Sequence, residues 1–127
     1  MTDLRKFSER SKAKLQGVDP RLIKVAELAL QRSPYDFSIT EGLRTAERQK
    51  QLVAEGKSKT LKSRHIMGRA IDFAVFVDGK VTWDMRYYKQ VAQVFLDVAD
   101  ELNIDIEAGA FWKSFPDGPH IQLKDAA

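Results

Sequence analysis

At 127 residues the chain has room for one hydrophobic core but not for two independent ones, and a composition of 43% hydrophobic and 31% charged residues, with a mean hydropathy of -0.39, excludes a disordered or bilayer-embedded polypeptide. With no cysteine in the sequence, disulfides and thiolate metal sites are excluded, so any metal must be held by His, Asp or Glu. The net charge is only +3, yet the basic residues are concentrated in two places. Arg5, Lys6, Arg10, Lys12 and Lys14 open the chain, and Lys57, Lys59, Lys62, Arg64 and Arg69 follow one another between Gly56 and Ala70 with no acid among them. Such patches attract polyanions through a salt-screened field, and they equally serve as solvated faces that keep a protein soluble.

Residues Met1 to Lys14 are highly charged and lack the apolar stretch of a secretory signal, and no apolar run is long enough to span a bilayer. The expectation is cytoplasmic synthesis without a signal peptide and no stable membrane insertion. Asp19-Pro20 reads as an N-cap followed by proline at the first helical position, and Leu22, Val25, Ala26 and Ala29 recur at helical spacing, which predicts a helix to about Arg32. Phe37 to Thr40 alternates apolar and polar residues, the period of a half-buried strand. Gly42 marks a loop, and Thr45 is placed to cap a helix that ends at Gly56.

From Ala70 to Val77 the chain is rich in Ile, Phe and Val, and Asp78-Gly79 is the strongest hairpin signal present, so two antiparallel strands are expected there. Asp84 then begins the longest periodic run, in which Tyr88, Val91, Ala92, Phe95, Val98, Ala99 and Leu102 fall on one helical face. Ile104 to Ile106 and His120 to Leu123 are short candidate strands on either side of a loop containing Pro116, Gly118 and Pro119. Helices and strands are mixed and include a hairpin, which predicts a single α+β domain over residues 1–127, with a small antiparallel sheet flanked by helices.

The chemistry-bearing residues are few. There are two histidines in the whole chain, and each lies near an acid: His65 precedes the strand that carries Asp72, and His120 follows Asp117. A loop ligand and a strand ligand can converge on one ion, and two imidazoles with one carboxylate, leaving a position open for water, suit catalytic zinc in ligand type and number. Each residue alone has a plainer reading. A loop histidine is commonly just polar surface, Asp117 within Pro-Asp-Gly-Pro suits a turn, and Asp72 could pair with Arg69 or Arg64 in its strand.

Together these residues carry a resemblance. Ser63-Arg64-His65-Ile66-Met67-Gly68-Arg69-Ala70-Ile71-Asp72 resembles the S-x-H-x-x-G-x-A-x-D signature of the LAS metallopeptidases, the superfamily of lysostaphin-type enzymes, D-alanyl-D-alanine peptidases and hedgehog domains. Asp117-Gly118-Pro119-His120 resembles its second half, an acid three residues before the last zinc ligand, and Glu41-Gly42-Leu43-Arg44-Thr45 is similar to its Gly-x-Arg turn. Gly109-Ala110-Phe111-Trp112 is similar to its Gly-Gly-x-Trp segment, with alanine in place of the second glycine. The likeness runs from residue 37 to residue 123, and the acid at Asp117, where many relatives carry Glu, is similar to the phage and bacterial L-alanyl-D-glutamate endopeptidases, or endolysins.

The resemblance implies a hedgehog/D-Ala-D-Ala-peptidase-like fold and a Zn2+ ion held by His65, Asp72 and His120. It implies Asp117 as general base and acid, Arg44 as the group that holds a substrate carbonyl, Ser63 as an orienting hydrogen-bonder and Trp112 as a wall of the cleft. The implied substrate is the peptidoglycan stem peptide, cut between L-Ala and D-Glu by a monomer that reaches the wall after release, with no separate wall-binding domain. Two other readings share the fold: a D-alanyl-D-alanine carboxypeptidase or dipeptidase, and a wall-binding module without turnover. A nucleic-acid-binding domain would explain the lysines but not the His and Asp spacing, and the aromatic residues are not interleaved with the basic run as stacking platforms would be.

Overall fold

The computed structural model describes residues 5–43, 46–57, 68–114 and 116–124. In chain order these form α1 (Glu9–Leu15), α2 (Pro20–Arg32), β1 (Asp36–Glu41), α3 (Ala46–Ala54), β2 (Ala70–Val77), β3 (Lys80–Thr82), α4 (Met85–Glu101), β4 (Ile106–Ala108), a 3-10 turn (Gly109–Phe111) and β5 (His120–Leu123). The α+β class with an antiparallel sheet is as the sequence predicts.

The helix boundaries follow from capping chemistry. Asp19 accepts a hydrogen bond from the Arg21 backbone N–H at 2.9 Å, and Asp84 accepts one from that of Arg86 at 3.0 Å, so each carboxylate satisfies a donor that the first helical turn leaves open. Helix α3 stops where the sequence places its end: Gly56 adopts φ +75, and the N–H groups of Gly56 and Lys57 turn back to Val53 and Leu52 in a Schellman motif. Thr45, its expected cap, lies outside the described residues.

Two elements differ from the sequence reading. Helix α1 has no apolar periodicity to announce it; Ser8 caps it by accepting from the Ser11 N–H, and the Ser11 hydroxyl accepts from the Ile39 N–H at 3.0 Å, tying the helix to β1. The strand expected from Ile104 begins instead at Ile106. Asn103 takes φ +57, and the N–H groups of Asn103 and Ile104 bond back to Asp100 and Ala99, so Ile104 completes the stop of α4 and is not available to a ladder.

Strand β2 is the spine of the sheet. It pairs antiparallel with β1 along one edge, while its other edge is shared by β5, opposite Ala70 to Asp72, and β3, opposite Val75 to Val77. Strand β4 extends the sheet beyond β5. The β2–β3 turn is the expected one, with Asp78 at φ +52 and Gly79 at φ +77, the left-handed pair of a type I′ hairpin.

Alternation along β2 sends Ile71, Phe73 and Val75, all fully buried, to one face. They join Phe37, Ile121, Leu123 and the apolar faces of α2 (Leu22, Val25, Ala26, Ala29, Leu30) and α4 (Tyr88, Val91, Ala92, Phe95, Val98, Ala99) in one core. Each large side chain removed from water there contributes about 1.5–3 kcal/mol. The opposite face of the same strands therefore starts from a rigid base, and it carries Asp72, His120 and Gln122.

Candidate active site

The β2–β5 register sets Asp72 directly opposite His120. Both side chains leave the sheet on the face away from the core, because Ile71, Phe73 and Ile121, their chain neighbours, point into it. Asp72 Oδ1 lies 3.1 Å from His120 Nδ1. On its other side Asp72 faces Glu41, where the β1 register shifts between Ile39 and Glu41, a bulge of the kind that re-aims side chains beside functional sites. Of the two arginines named for Asp72 from the sequence, Arg64 lies outside the described residues, and the charge of Arg69 also reaches Asp19, whose carboxyl is held low chiefly by its hydrogen bond with Arg21.

His120 is buried, and its second ring nitrogen, Nε2, is 2.8 Å from Gln122 Oε1. Burial pushes the imidazole pKa down, but the hydrogen bond and charge of Asp72, the hydrogen bond to Gln122 and the charge of Asp117 outweigh it, and the pKa lies above the ordinary histidine value. The sign is informative. With Nε2–H given to Gln122, a neutral ring would set the bare lone pair of Nδ1 against a carboxylate oxygen, an arrangement that needs a proton or a cation. An imidazole nitrogen and a carboxylate oxygen presented together are a donor pair that fits zinc, the ion implied by the resemblance.

Asp117 is held by its backbone. Its N–H donates to the Gly109 carbonyl at 2.9 Å, and its own carbonyl accepts from the His120 N–H at 3.2 Å, which leaves the carboxylate exposed to solvent and close enough for its charge to reach His120. Gly109 makes this possible: a Cβ there would stand 2.3 Å from the Asp117 carbonyl oxygen and 3.1 Å from the His120 Cβ. The glycine is thus kept at the position without space, whereas Ala110 is accommodated in the core. Trp112, half-buried, lies against the His120 ring with centroids 5.2 Å apart.

The structure brings together Asp72, His120, Asp117 and Trp112. His65, Ser63 and Arg44 lie outside the described residues, and among those described no three His, Cys, Asp or Glu side chains group around one metal-sized point. Gln122 was missed in the sequence, although a period of two along β5 puts it on the same face as His120.

With that geometry in view, the family model for the phage L-alanyl-D-glutamate peptidase matches residues 4–125. The chain belongs to this family. It is 41% identical over 123 residues to the L-alanyl-D-glutamate peptidase of Escherichia phage T5, covering 94% of this chain and 89% of that protein. It is 34% identical over 101 residues to the peptidoglycan L-alanyl-D-glutamate endopeptidase CwlK of Bacillus subtilis (strain 168), covering 69% of this chain and 60% of that one. Among solved structures, the Serratia marcescens L-Ala D-Glu endopeptidase ChiX matches with a TM-score of 0.88 and 43% identity, over 95% of this chain and 91% of that chain. Family members thus share the α+β fold as well as the sequence.

Proposed function

We propose that this chain is a zinc-dependent peptidoglycan hydrolase that cleaves the L-alanyl-D-glutamate bond of the stem peptide, with residues 1–127 acting as one catalytic domain. The observation that carries the reading is the apposition of Asp72 and His120 at 3.1 Å in a chain whose relatives are L-alanyl-D-glutamate peptidases. Asp72 and His120 would hold the ion together with His65. When bound, zinc lowers the pKa of its water to about 7 and polarises a carbonyl oxygen.

The remaining chemistry belongs to the chain. The Asp117 carboxylate takes a proton from the attacking water and returns it to the leaving amine nitrogen, so one group serves as base and then as acid. Its backbone bonds to Gly109 and His120 fix where that carboxylate starts. Arg44 offers a planar guanidinium to the carbonyl oxygen as negative charge develops on it, Ser63 orients the site by a hydrogen bond, and Trp112 walls the cleft. The substrate is the wall peptide, met by a monomer after release from the cytoplasm where it is made; no helix among the described residues is long and apolar enough to cross a membrane.

Digestion of purified peptidoglycan by zinc-loaded protein and by Asp117→Ala, with mass spectrometry of the products, tests the proposal. New L-Ala C-termini and D-Glu N-termini from the wild type alone are expected. Release of terminal D-Ala would move the enzyme to the carboxypeptidase branch, and no release from folded, zinc-bound wild type would leave a binding module.

A further inference from the structure

Trp83 is the most exposed large apolar side chain among the described residues, 64% open to solvent, yet its ring is held in place. It lies parallel to the ring of Tyr88, with 6° between the planes and 5.9 Å between centroids. Tyr88 is itself buried and is fixed through its hydroxyl, which accepts from the Val75 N–H and donates to the Thr82 carbonyl. The outer face of the indole is therefore a flat apolar surface whose orientation is already set, the kind of exposed surface that marks a contact with a ligand.

Sheet register brings this surface to the proposed active site. Strand β3 runs antiparallel to β2 with Thr82 opposite Val75, and β5 takes the same edge of β2 with His120 opposite Asp72. Val75 and Asp72 are three positions apart, about 10 Å of strand, and the chain that leaves Thr82 at Trp83 runs toward His120. Tyr88 bridges the two segments: a Cβ on Gly118, between Asp117 and His120, would stand 3.2 Å from its Cβ and Cγ. Beside Trp83, Asp84 and Arg86 form a polar pair, with Arg86 Nη2 donating to Asp84 Oδ2 at 2.8 Å and Nε donating to Oδ1 at 3.1 Å.

We infer that Trp83 is a stacking platform for the amino sugar that carries the stem peptide, so that the site reads glycan as well as peptide. A pyranose presents a face of C–H groups, made electropositive by the sugar oxygens, which suits the negative face of an indole. Its hydroxyl and acetamide groups need donors and acceptors at the rim, which Arg86 and Asp84 supply.

Covalent length selects the occupant. In the wall the L-Ala nitrogen is joined to the lactyl group of an N-acetylmuramyl sugar, so a lactyl unit and one alanine separate the sugar from the scissile carbonyl. Each has about the reach of one residue, and together they span about 7 Å when extended. The width of the sugar ring takes up the rest of the distance between the catalytic pair and β3. The inference rests on the wall-peptide reading of the site and adds the part of the substrate that the peptide chemistry leaves out.

The test uses the full chain and the variants Trp83→Ala and Trp83→Tyr, with two substrates: the N-acetylmuramyl stem peptide and the same peptide capped by a lactyl group alone. Zinc-loaded Trp83→Ala should raise KM for the sugar-linked substrate roughly tenfold. It should leave kcat on both substrates, and KM for the lactyl peptide, unchanged. Trp83→Tyr keeps an aromatic face and should restore most of the loss. In metal-free wild type, the indole N–H resonance of Trp83, identified by its absence from Trp83→Tyr, should shift with N-acetylmuramyl-L-alanine and not with lactyl-L-alanine.

Thermal unfolding checks that each variant is folded, and the resonance is read in the wild type, so the test stands even where Trp83→Ala is not. A KM that rises equally on both substrates, a folded Trp83→Ala that behaves as wild type, or an indole signal unmoved by the muramyl compound overturns the inference. A dimer that Trp83→Ala dissociates would make the surface a contact between copies and overturn it too. An indole signal that answers to the sugar in a protein that leaves the L-Ala–D-Glu bond intact upholds the inference and overturns the hydrolase reading alone.

Discussion

Asp72 and His120 meet as a directly opposed pair on antiparallel strands, Oδ1 to Nδ1 at 3.1 Å, although 48 residues separate them in the chain. Two strands anchored in the core on their other face hold the pair, so its spacing is set by the sheet and not by loop conformation. Asp72→Asn keeps the shape but removes the charge and one acceptor oxygen. The expected result is a folded protein that fails to retain zinc through gel filtration and loses peptidoglycan cleavage. Metal content by atomic spectroscopy checks it, and a variant that keeps one zinc per chain would remove Asp72 from the ligand set.

Gly109→Ala should damage the site far more than its size suggests. The added methyl would meet the Asp117 carbonyl oxygen at 2.3 Å, a backbone atom that cannot rotate aside. Displacing the Asp117 segment by about an ångström is expected to lower turnover on the order of a hundredfold, with a stability loss of about 1–3 kcal/mol from overpacking. Gly79→Ala is the control. Gly79 has φ +77 and nothing within 4 Å of a built Cβ, so strain of about 1–2 kcal/mol should appear in urea denaturation while turnover is unchanged.

Much of the fold was legible because its signals are local. The Asp19-Pro20 cap, the Asp78-Gly79 turn and the apolar face of α4 each depend on a few neighbouring residues, and each forms as expected. Helix α1 was not legible because its seven residues are mostly charged and its anchor, Ser11 to Ile39, is tertiary. In the site, motif spacing pointed to Asp72, Asp117 and His120. The hydrogen bond from Gln122 Nε2 to Glu107 Oε2, at 2.9 Å, was invisible because nothing in a linear sequence states which β4 residue faces which β5 residue; that is decided when the strands pair.

Tyr88 links α4 to the β2–β3 hairpin. Its hydroxyl accepts from the Val75 N–H at 3.1 Å and donates to the Thr82 carbonyl at 2.8 Å. Tyr88→Phe strands a buried N–H and should cost about 1–3 kcal/mol, read as a lower urea midpoint with activity retained. Burial raises the phenol pKa above its ordinary 10.0, partly offset by the Val75 bond. The neutral phenol is therefore favoured in the folded state, and this contribution is complete below the unfolded value of about pH 10 and lost as pH rises through the higher folded value. Wild type should lose stability across that alkaline window more steeply than Tyr88→Phe; parallel slopes would sink the assignment.

Trp112 separates a structural from a substrate-facing role. Its ring rests on His120 with centroids 5.2 Å apart, and it also lines a shallow depression with Met85, Lys89, Phe111, Lys113 and Pro116. Two lysines beside an aromatic wall suit a peptide that carries a carboxylate, as the D-Glu of the proposed substrate does. If the tryptophan faces substrate, Trp112→Ala should raise KM about tenfold or more, Trp112→Phe should restore most of it, and the KM of the wild type should rise with salt as the lysines are screened. A tryptophan that serves only to pack His120 would instead give lower thermal stability and weaker zinc retention, with KM unchanged in whatever fraction remains active.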